Sequence, residues 1–199
     1  MGEVVANMSM SLDGYIEDAE GRVDEVFAWM SSSSEAVVKA PGTQHEFRVS
    51  SASADYLRGA FADIGALITG RRLFDVAHGW GGRHPVDVPV FVVTHRPPDD
   101  WAHPDAPFTF VTDGVASAVA LAKAVAGDRT VAIASADIAQ QCLNLGLLDA
   151  IAVDLVPVLL GSGTPFFAQL DERVLLDTPT VVEGHGVTHL RYRVTYAAA

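Results

Sequence analysis

The chain has 199 residues, of which 25 are Asp or Glu and 13 are Lys or Arg, and its formal net charge at pH 7 is -12. This length predicts one domain with a substantial core, and the negative charge disfavours nucleic acids and anionic membrane surfaces as partners because it repels phosphate groups. The single cysteine, Cys142, excludes an internal disulfide and a metal site with several thiolates, and we expect it in the core because it shares an apolar helical face with Ile138 and Leu145.

The first predicted element is a buried strand, EVVANMSMS, which ends at the turn signal Asp13-Gly14. No secretory signal precedes it and no apolar run approaches the roughly 18 residues of a membrane span, so we expect a cytoplasmic protein. Residues 17–44 are acidic and Ser-rich, which predicts a long surface loop with one short helix around EVFAWM. A loop of this length is either a lid or binding loop, or a disordered insert.

From residue 50 onward, helix and strand patterns alternate with short connections. The order is a Ser-capped helix (50–65), a strand (66–69), a helix (70–77), two strands (88–96 and 108–112), an Ala-rich helix (114–127), a strand (130–134) and a further helix from residue 136. Such alternation predicts a three-layer αβα domain around a mostly parallel sheet. The last third reads as a strand, a Gly-Ser-Gly turn and a terminal antiparallel hairpin around Glu183-Gly184.

Three segments at predicted strand ends are suited to bind an anion. In the first, TGRRLFD, Gly70 permits a tight turn, and Arg71 and Arg72 begin a helix whose N–H and guanidinium groups suit phosphates. Cations are unfavourable at a helix N-terminus, so two of them indicate an external anion. The alternative is a surface pair of arginines matched to Asp63 or Asp75.

The second segment, VVTHRPP, places Thr94, His95 and Arg96 at the end of a parallel strand, where ligands of open α/β sheets bind. A hydroxyl, an imidazole and a guanidinium together suit a phosphate monoester such as the 2′-phosphate of NADP. An ordinary surface loop is the alternative.

The third segment, TVAIASADIAQQCL, has Ala134, Ser135 and Ala136 where a phosphate-binding turn usually has glycines. If Asp137 and Gln140 form a capping box, the carboxylate occupies the N–H groups that a phosphate would use. If Ser135 is the cap, Asp137 lies in the first turn and leaves those donors free. Both alternatives remain open at this point.

Common catalytic motifs are missing from the sequence: it contains no HExxH, GxSxG, Walker P-loop or GxGxxG. The seven histidines are scattered, and only His185 and His189 have a spacing that resembles metal ligands. In an extended run these two do not share a helical face, so we expect no metal site.

Five stretches in order resemble the dihydrofolate reductase family in its wider sense: ANMSMSLDGYI, ALITGRRLFD, VPVFVVTHRPP, IAQQCLNLGLLDAIAVDLVPVLLGSGTPFF and GVTHLRYRV. The closer branch is the reductase domain of the bifunctional riboflavin-pathway deaminase–reductase and its stand-alone forms. The resemblance spans nearly the whole chain. It implies an αβα fold with a mostly parallel eight-stranded sheet and an antiparallel C-terminal strand, and hydride transfer from NADPH to a C=N or C=O of a flat heterocycle or a ribose-like substrate.

The resemblance also implies roles for individual residues. Asp13 and Asp154 are the candidate catalytic contacts to substrate, and either one relays a proton if burial raises its pKa; the alternatives are a turn residue and an exposed strand residue. Tyr15 and Trp29 are the expected substrate contacts. The expected cofactor contacts are Ala6 and Ile16 beside the nicotinamide, the phosphate-binding residues Gly70, Arg71, Arg72, Thr94, His95 and Arg96, and the turn Ala134, Ser135, Ala136, Asp137 and Ile138.

The chain departs from the family pattern at several positions. Ala-Ser replaces a Gly-Gly pair in the turn, and each added Cβ narrows the approach of a cofactor. Leu73 stands where a phosphate-binding Thr is common, and Ala150 where Glu is usual. No residue matches the carboxylate that protonates dihydropterin, so dihydrofolate is not the expected substrate.

The expected function is therefore an NADPH-dependent reductase that resembles those of riboflavin biosynthesis. The alternative is a protein that kept the fold, lost hydride transfer and binds a ligand without turnover. The mean hydropathy of +0.24 and the apolar run VDLVPVLLG predict a homodimer.

Overall fold

The computed structural model of the protein describes residues 2–196. The helices are α1 Asp24–Phe27, α2 Ser51–Asp63, α3 Arg71–Val76, α4 Val115–Ala126 and α5 Ala136–Asn144, with 3-10 turns at Ala28–Ser31 and His78–Gly82. The strands are β1 Val4–Ser11, β2 Tyr15–Glu17, β3 Ala36–Lys39, β4 Glu46–Val49, β5 Ile64–Gly70, β6 Val90–Val93, β7 Phe108–Val111, β8 Thr130–Ile133, β9 Ala150–Val156, β10 Thr164–Pro165, β11 Leu175–Leu176, β12 Thr180–Gly184 and β13 Val187–Thr195.

The central sheet has the order β12-β13-β9-β1-β8-β5-β6-β7, and β11 pairs with the last part of β13 beyond β12. The six strands from β9 to β7 are parallel, whereas β13 runs antiparallel to β9. The sheet therefore has nine strands in eight side-by-side positions, because β11 and β12 both lie beside β13. This arrangement confirms the predicted mostly parallel sheet with an antiparallel C-terminal strand.

Helices cover both faces of the sheet because successive side chains of a strand point to opposite faces. Ala66 and Ile68 of β5 belong to the core cluster formed with α4 and α5. The intervening Leu67 packs with Phe74 of α3 on the other face. On that same face, α2 packs with the β3-β4 hairpin, where Leu57 and Phe47 lie in one cluster.

Two predictions about connecting segments, the stretch at residues 17–44 and the turn of the terminal hairpin, need correction. In the acidic stretch at residues 17–44, α1 and the 3-10 turn confirm the short helix predicted around EVFAWM, but the rest is not one loop, because it contains the end of β2 and all of β3, which pairs with β4. The terminal hairpin turns at His185-Gly186 rather than at Glu183-Gly184, since Gly184 still pairs with Val187 and Gly186 has a φ of 71°. Within residues 2–196, no helix is long and apolar enough to cross a membrane.

The lengths of the strands shape the edge of the sheet at which the parallel strands end. The pairing of β1 with β8 stops at Ala6 and Ile133, whereas β1 continues beside β9 as far as Ser11 and Val156. Strands β1 and β9 therefore extend past the ends of β8 and β5. This step leaves side chains of β1 and β9 beside the turn that follows β8.

Candidate functional site

The three predicted anion-binding segments meet at the carboxyl ends of β5, β6 and β8. A Cβ at Gly70 would lie 3.1 Å from the Ser135 hydroxyl, so the turn after β5 touches the turn after β8. Gly70 has extended backbone angles (φ -84°, ψ 161°), so the lack of a side chain eases this close approach and does not, as predicted, serve a tight turn. The Arg71 guanidinium donates to the Arg96 carbonyl at 2.7 Å, which joins the turns after β5 and β6.

Each arginine of this edge has a carboxylate partner in the same chain. Arg71 pairs with Asp75 at 2.7 Å, as the surface-pair alternative predicts, and Arg96 pairs with Asp99 at 2.6 Å. Arg72 instead pairs with Glu17 of β2 at 2.6 Å. The side chains of Arg72 and Arg96 are 67% and 78% exposed. Since exposed ion pairs contribute about 1 kcal/mol or less, a phosphate can replace these carboxylates at small cost.

Thr94 and His95 form the turn that holds Arg96. The Thr94 hydroxyl donates to the Arg96 carbonyl at 2.8 Å and accepts from the Arg96 N–H at 3.3 Å. His95 is exposed. The His95 imidazole and the Arg96 guanidinium are therefore accessible to solvent at the carboxyl end of β6.

The helix after β8 begins at Ala136 with Ser135 as its N-cap, and no side chain caps it. The capping box does not form, because the Gln140 side-chain oxygen accepts from the N–H groups of Ala168 and Gln169 at 3.0 and 2.6 Å. Asp137 accepts from Gln141 at 2.7 Å along the helix. Of the two alternatives, the structure adopts the one that leaves the first-turn N–H groups without a side-chain acceptor.

The residues expected beside the nicotinamide lie on β1 and β2. Ala6 is fully buried in β1 between Ile133 and Ile151 of the neighbouring strands. Ile16 of β2 is partly buried against the main core, and Tyr15 pairs with Pro165 of β10. These positions border the step in the sheet edge.

Asp13 joins the turn after β1 to the loop that follows β9. Its carboxylate accepts from the Ser11 hydroxyl at 2.6 Å and from the N–H groups of Leu160 and Gly161 at 3.1 and 2.7 Å. The Ser11 hydrogen bond, aided by the Gly161 and Leu160 N–H groups, lowers the pKa of the exposed Asp13 below its ordinary value. The expectation that burial raises this pKa is wrong, because the donors stabilise the charged form.

Asp154 belongs to a buried polar cluster that the sequence analysis did not anticipate. Its carboxylate is hydrogen-bonded to Nδ1 of His189 at 2.7 Å, and Nε2 of His189 lies 2.9 Å from the Ser53 hydroxyl. Ser50, the N-cap of α2, accepts from the Ser53 N–H at 3.3 Å and lies 3.1 Å from its hydroxyl. The alternative of an exposed strand residue at position 154 is therefore also wrong, since Asp154 is 4% exposed.

Aromatic rings enclose the His189 imidazole. Tyr56 of α2 stacks on it with ring centroids 4.1 Å apart and planes inclined by 19°, and Trp29 meets it edge-on at 5.0 Å. Trp29 is 1% exposed and donates from Nε1 to the Ser9 hydroxyl at 3.0 Å. Its indole is a wall of the cluster, and its burial does not support the predicted direct contact with a substrate.

The Ser53, His189 and Asp154 contacts have the connectivity of a hydrolase triad but not its accessibility. Ser53 is 1% exposed, and a Cβ at Gly184 would lie 2.2 Å from its hydroxyl oxygen. The hydroxyl thus packs directly against the backbone of β12, where an acyl group has no room. An attacking nucleophile needs such room, so the trio is not a hydrolase site.

The comparisons with known proteins agree with this architecture. Residues 3–190 match the model of the RibD C-terminal domain. The chain belongs to the RibD C-terminal domain family. Among curated proteins, none matches this sequence.

Solved structures with the fold of the RibD C-terminal domain family include distant relatives. A candidate riboflavin biosynthesis protein from Shewanella sp. PV-4 is 20% identical with a TM-score of 0.72, over 98% of this chain and 99% of that chain. RibD from Acinetobacter baumannii is 16% identical with a TM-score of 0.60, over 98% of this chain but 58% of its own. Dihydrofolate reductase from Enterococcus faecalis, complexed with NADP(H), is 16% identical with a TM-score of 0.52, over 97% and 95%. These similarities confirm the predicted fold.

This member of the RibD C-terminal domain family contains site features that the motifs did not reveal. The sequence patterns predict the helix that contains Ser53 and Tyr56 but assign neither residue to a site. One signal was available: Asp154 interrupts an otherwise apolar strand and is paired with His189 across β9 and β13. Cys142 is buried as predicted, and burial raises the pKa of its thiol to about 12.

Proposed function

We propose that the protein is an NADPH-dependent reductase that transfers a hydride to a C=N or C=O of a small heterocyclic or ribose-like substrate other than dihydrofolate. The observation that carries this proposal is the meeting of three donor-rich turns at one sheet edge, joined by the contacts of Gly70 with Ser135 and of Arg71 with Arg96. Membership of the RibD C-terminal domain family supports the same reaction class.

The residues of this edge fit the anionic parts of NADPH, which would supply the hydride when bound. The uncapped first turn of α5 offers N–H groups to a pyrophosphate. The exposed Arg96 offers a guanidinium to the 2′-phosphate once that phosphate displaces Asp99. Ala6 is fully buried in the main core cluster, so its side chain is not itself part of this surface.

The second candidate is a protein that binds a ligand without turnover. The observation that favours it is the charge state of the edge, where Arg71, Arg72 and Arg96 each already have a carboxylate partner. A phosphate binds there only by exchange, and Asp137 adds a negative charge in the first turn of α5.

Turnover distinguishes the two candidates. NADPH consumption is followed at 340 nm with small ketones, aldoses, cyclic imines and fused heterocycles, after binding of NADPH has been verified by calorimetry. Consumption with a compound of either class, with matching formation of its reduced product, supports the reductase. Binding of NADPH without consumption on any compound supports the ligand-binding alternative.

A homodimer remains part of this proposal. The apolar run VDLVPVLLG, which motivates the homodimer, is mainly buried within the protein, because Val153 and Val156 are buried, although Leu159 is 69% exposed. Light scattering at micromolar concentration measures the mass directly. A stable monomer would remove the homodimer from the account.

A further inference from the structure

Asn7 and Tyr56 are the members of the buried polar cluster that reach its outer side. Ser9, Asp154 and His189 are almost fully buried, whereas Asn7 and Tyr56 are partly exposed. The Asn7 side-chain amide donates to the Tyr56 hydroxyl over 3.5 Å. A contact this long is weak, so a ligand group can replace it at little cost.

Asn7 lies at the step in the sheet edge. Ala6 pairs with Ile133, the last residue of β8, so Asn7 is the first residue of β1 beyond that strand. It therefore adjoins the turn at residues 134–138, which we assign to the cofactor. Because strand side chains alternate, Asn7 shares the face of Ser9 and α2 rather than that of Ala6.

The Tyr56 ring is held from behind. His189 stacks on it at 4.1 Å, and both nitrogens of the imidazole are fixed, one by Asp154 at 2.7 Å and the other by Ser53 at 2.9 Å. An imidazole anchored at both ends cannot rotate, so the stacked phenol has one favoured plane. In this plane, its hydroxyl lies 3.5 Å from the Asn7 side-chain nitrogen.

The negative charge of Asp154 limits which ligand groups can bind beside Asn7 and Tyr56. Burial, followed by the negative charge and hydrogen bonding of Asp154, raises the pKa of Tyr56 far above its ordinary value. The phenol therefore stays neutral, and the buried carboxylate, whose effect on Tyr56 exceeds the opposing effect of Arg191, disfavours an anionic group beside the ring. An uncharged group that forms hydrogen bonds fits here.

We propose that Asn7 and Tyr56 form the wall that contacts the uncharged, hydrogen-bonding end of the substrate, and that Ser53, His189 and Asp154 are positioning residues that hold Tyr56 in place. The proposal rests on the reductase function, because it places this wall beside the nicotinamide end of the cofactor. Ser53, His189 and Asp154 then act neither as nucleophiles nor only as core packing, because they orient Tyr56.

Thiol labelling tests the placement of the wall without knowledge of the substrate. The only native cysteine, Cys142, is buried and its raised pKa makes it unreactive. Asn7→Cys and Tyr56→Cys are each treated with a maleimide, and the rates are compared with those of Ser53→Cys as the buried control and Leu159→Cys as the exposed control. We expect labelling at positions 7, 56 and 159, and none at position 53.

Two nucleotides then test whether the wall adjoins the nicotinamide. Saturating NADPH should slow labelling at positions 7 and 56 by about tenfold, because a bound ligand excludes the reagent from its pocket. Adenosine 2′,5′-bisphosphate, which lacks the nicotinamide, should change these rates by less than about twofold, and neither nucleotide should affect position 159. Equal protection by both nucleotides, or none by NADPH that calorimetry shows to be bound, overturns the proposal. If NADPH does not bind at all, the reductase function itself fails, and the proposal with it.

The positioning role has a spectroscopic readout. Tyrosine labelled with ¹³C at Cζ reports the surroundings of the phenol by NMR, and Tyr56→Phe assigns the signal among the four tyrosines. Asp154→Asn keeps the shape of the side chain but changes the group that acts on His189 and Tyr56, so the Tyr56 signal of the folded protein at neutral pH should shift. An unchanged Tyr56 signal in folded Asp154→Asn would show that Asp154 does not act on the phenol, and would overturn this part of the proposal.

Discussion

The two polar regions of the protein hold their charges in opposite ways. At the carboxyl edge, Arg72 and Arg96 are largely exposed and pair with Glu17 and Asp99 in contacts that water and ligands can reach. In the buried cluster, Asp154 and His189 are sealed from solvent. Exposed pairs exchange partners readily, whereas a buried pair is costly to separate. The first arrangement suits ligand binding and the second suits fixed geometry.

The largest expected effect comes from breaking the buried pair. His189→Leu leaves the Asp154 carboxylate buried without its imidazole partner and should lower the free energy of unfolding by about 3–5 kcal/mol. Asp99→Ala breaks an exposed pair of similar length and should cost about 0.5 kcal/mol or less. Urea denaturation measures both. Similar losses for the two variants would erase the distinction between the regions.

Next in size is the cofactor preference of the edge. Arg96→Ala should weaken NADPH binding by about 1.5–3 kcal/mol, because it removes a charge-assisted contact to the 2′-phosphate. NADH binding should be nearly unchanged. Arg83→Ala is the matched control, since Arg83 is also exposed and pairs with Asp87 at 2.6 Å. Equal losses for NADPH and NADH in Arg96→Ala would remove Arg96 from the 2′-phosphate site.

Alkaline pH should destabilise the buried cluster. The pKa of Tyr56 is raised by burial first and by Asp154 second, so the folded protein retains a proton that the unfolded chain releases above pH 10. Its stabilisation is full below pH 10 and declines at higher pH by up to about 1.4 kcal/mol per pH unit. Tyr56→Phe should flatten this decline, and the part that remains belongs to Tyr196 and Cys142, whose pKa values burial also raises. Denaturation midpoints between pH 8 and 11 measure the slope, and an identical slope in Tyr56→Phe would contradict the burial argument.

A smaller effect is expected at the start of α5. Asp137→Asn keeps the acceptor for Gln141 but removes a negative charge from the proposed phosphate site. NADPH affinity should rise by about 0.3–1 kcal/mol, the usual size of a charge effect at a helix end. Calorimetric titration of the variant beside the unchanged protein measures it. Weaker binding would mean that Asp137 assists the cofactor rather than opposing it.

The sequence predicts the carboxyl edge well because strand ends are local features. The apolar runs before Gly70, Thr94 and Ala134 define where β5, β6 and β8 end, and parallel strands bring those ends together. The pairing of the arginines was only partly predictable. Arg71 and Asp75 are four residues apart on α3, whereas Glu17 reaches Arg72 from a distant strand.

The buried cluster needed the tertiary structure. Ser53 and His189 are separated by 136 residues, and neither belongs to a pattern that marks a polar core. The capping-box prediction failed for a similar reason, since a distant segment at Ala168 and Gln169 takes up the Gln140 side chain. The β3-β4 hairpin was missed because its strands have only four residues each, and runs this short give an ambiguous periodicity signal.

The central claim is that the exposed edge binds a dinucleotide phosphate by exchanging its own carboxylates for the ligand. Calorimetric titration of the purified protein with NADPH tests this claim most directly, with NADH titrated in parallel. We expect a dissociation constant on the order of micromolar for NADPH and weaker binding of NADH, because NADH lacks one charge-assisted contact. No binding of NADPH up to millimolar concentration would contradict it.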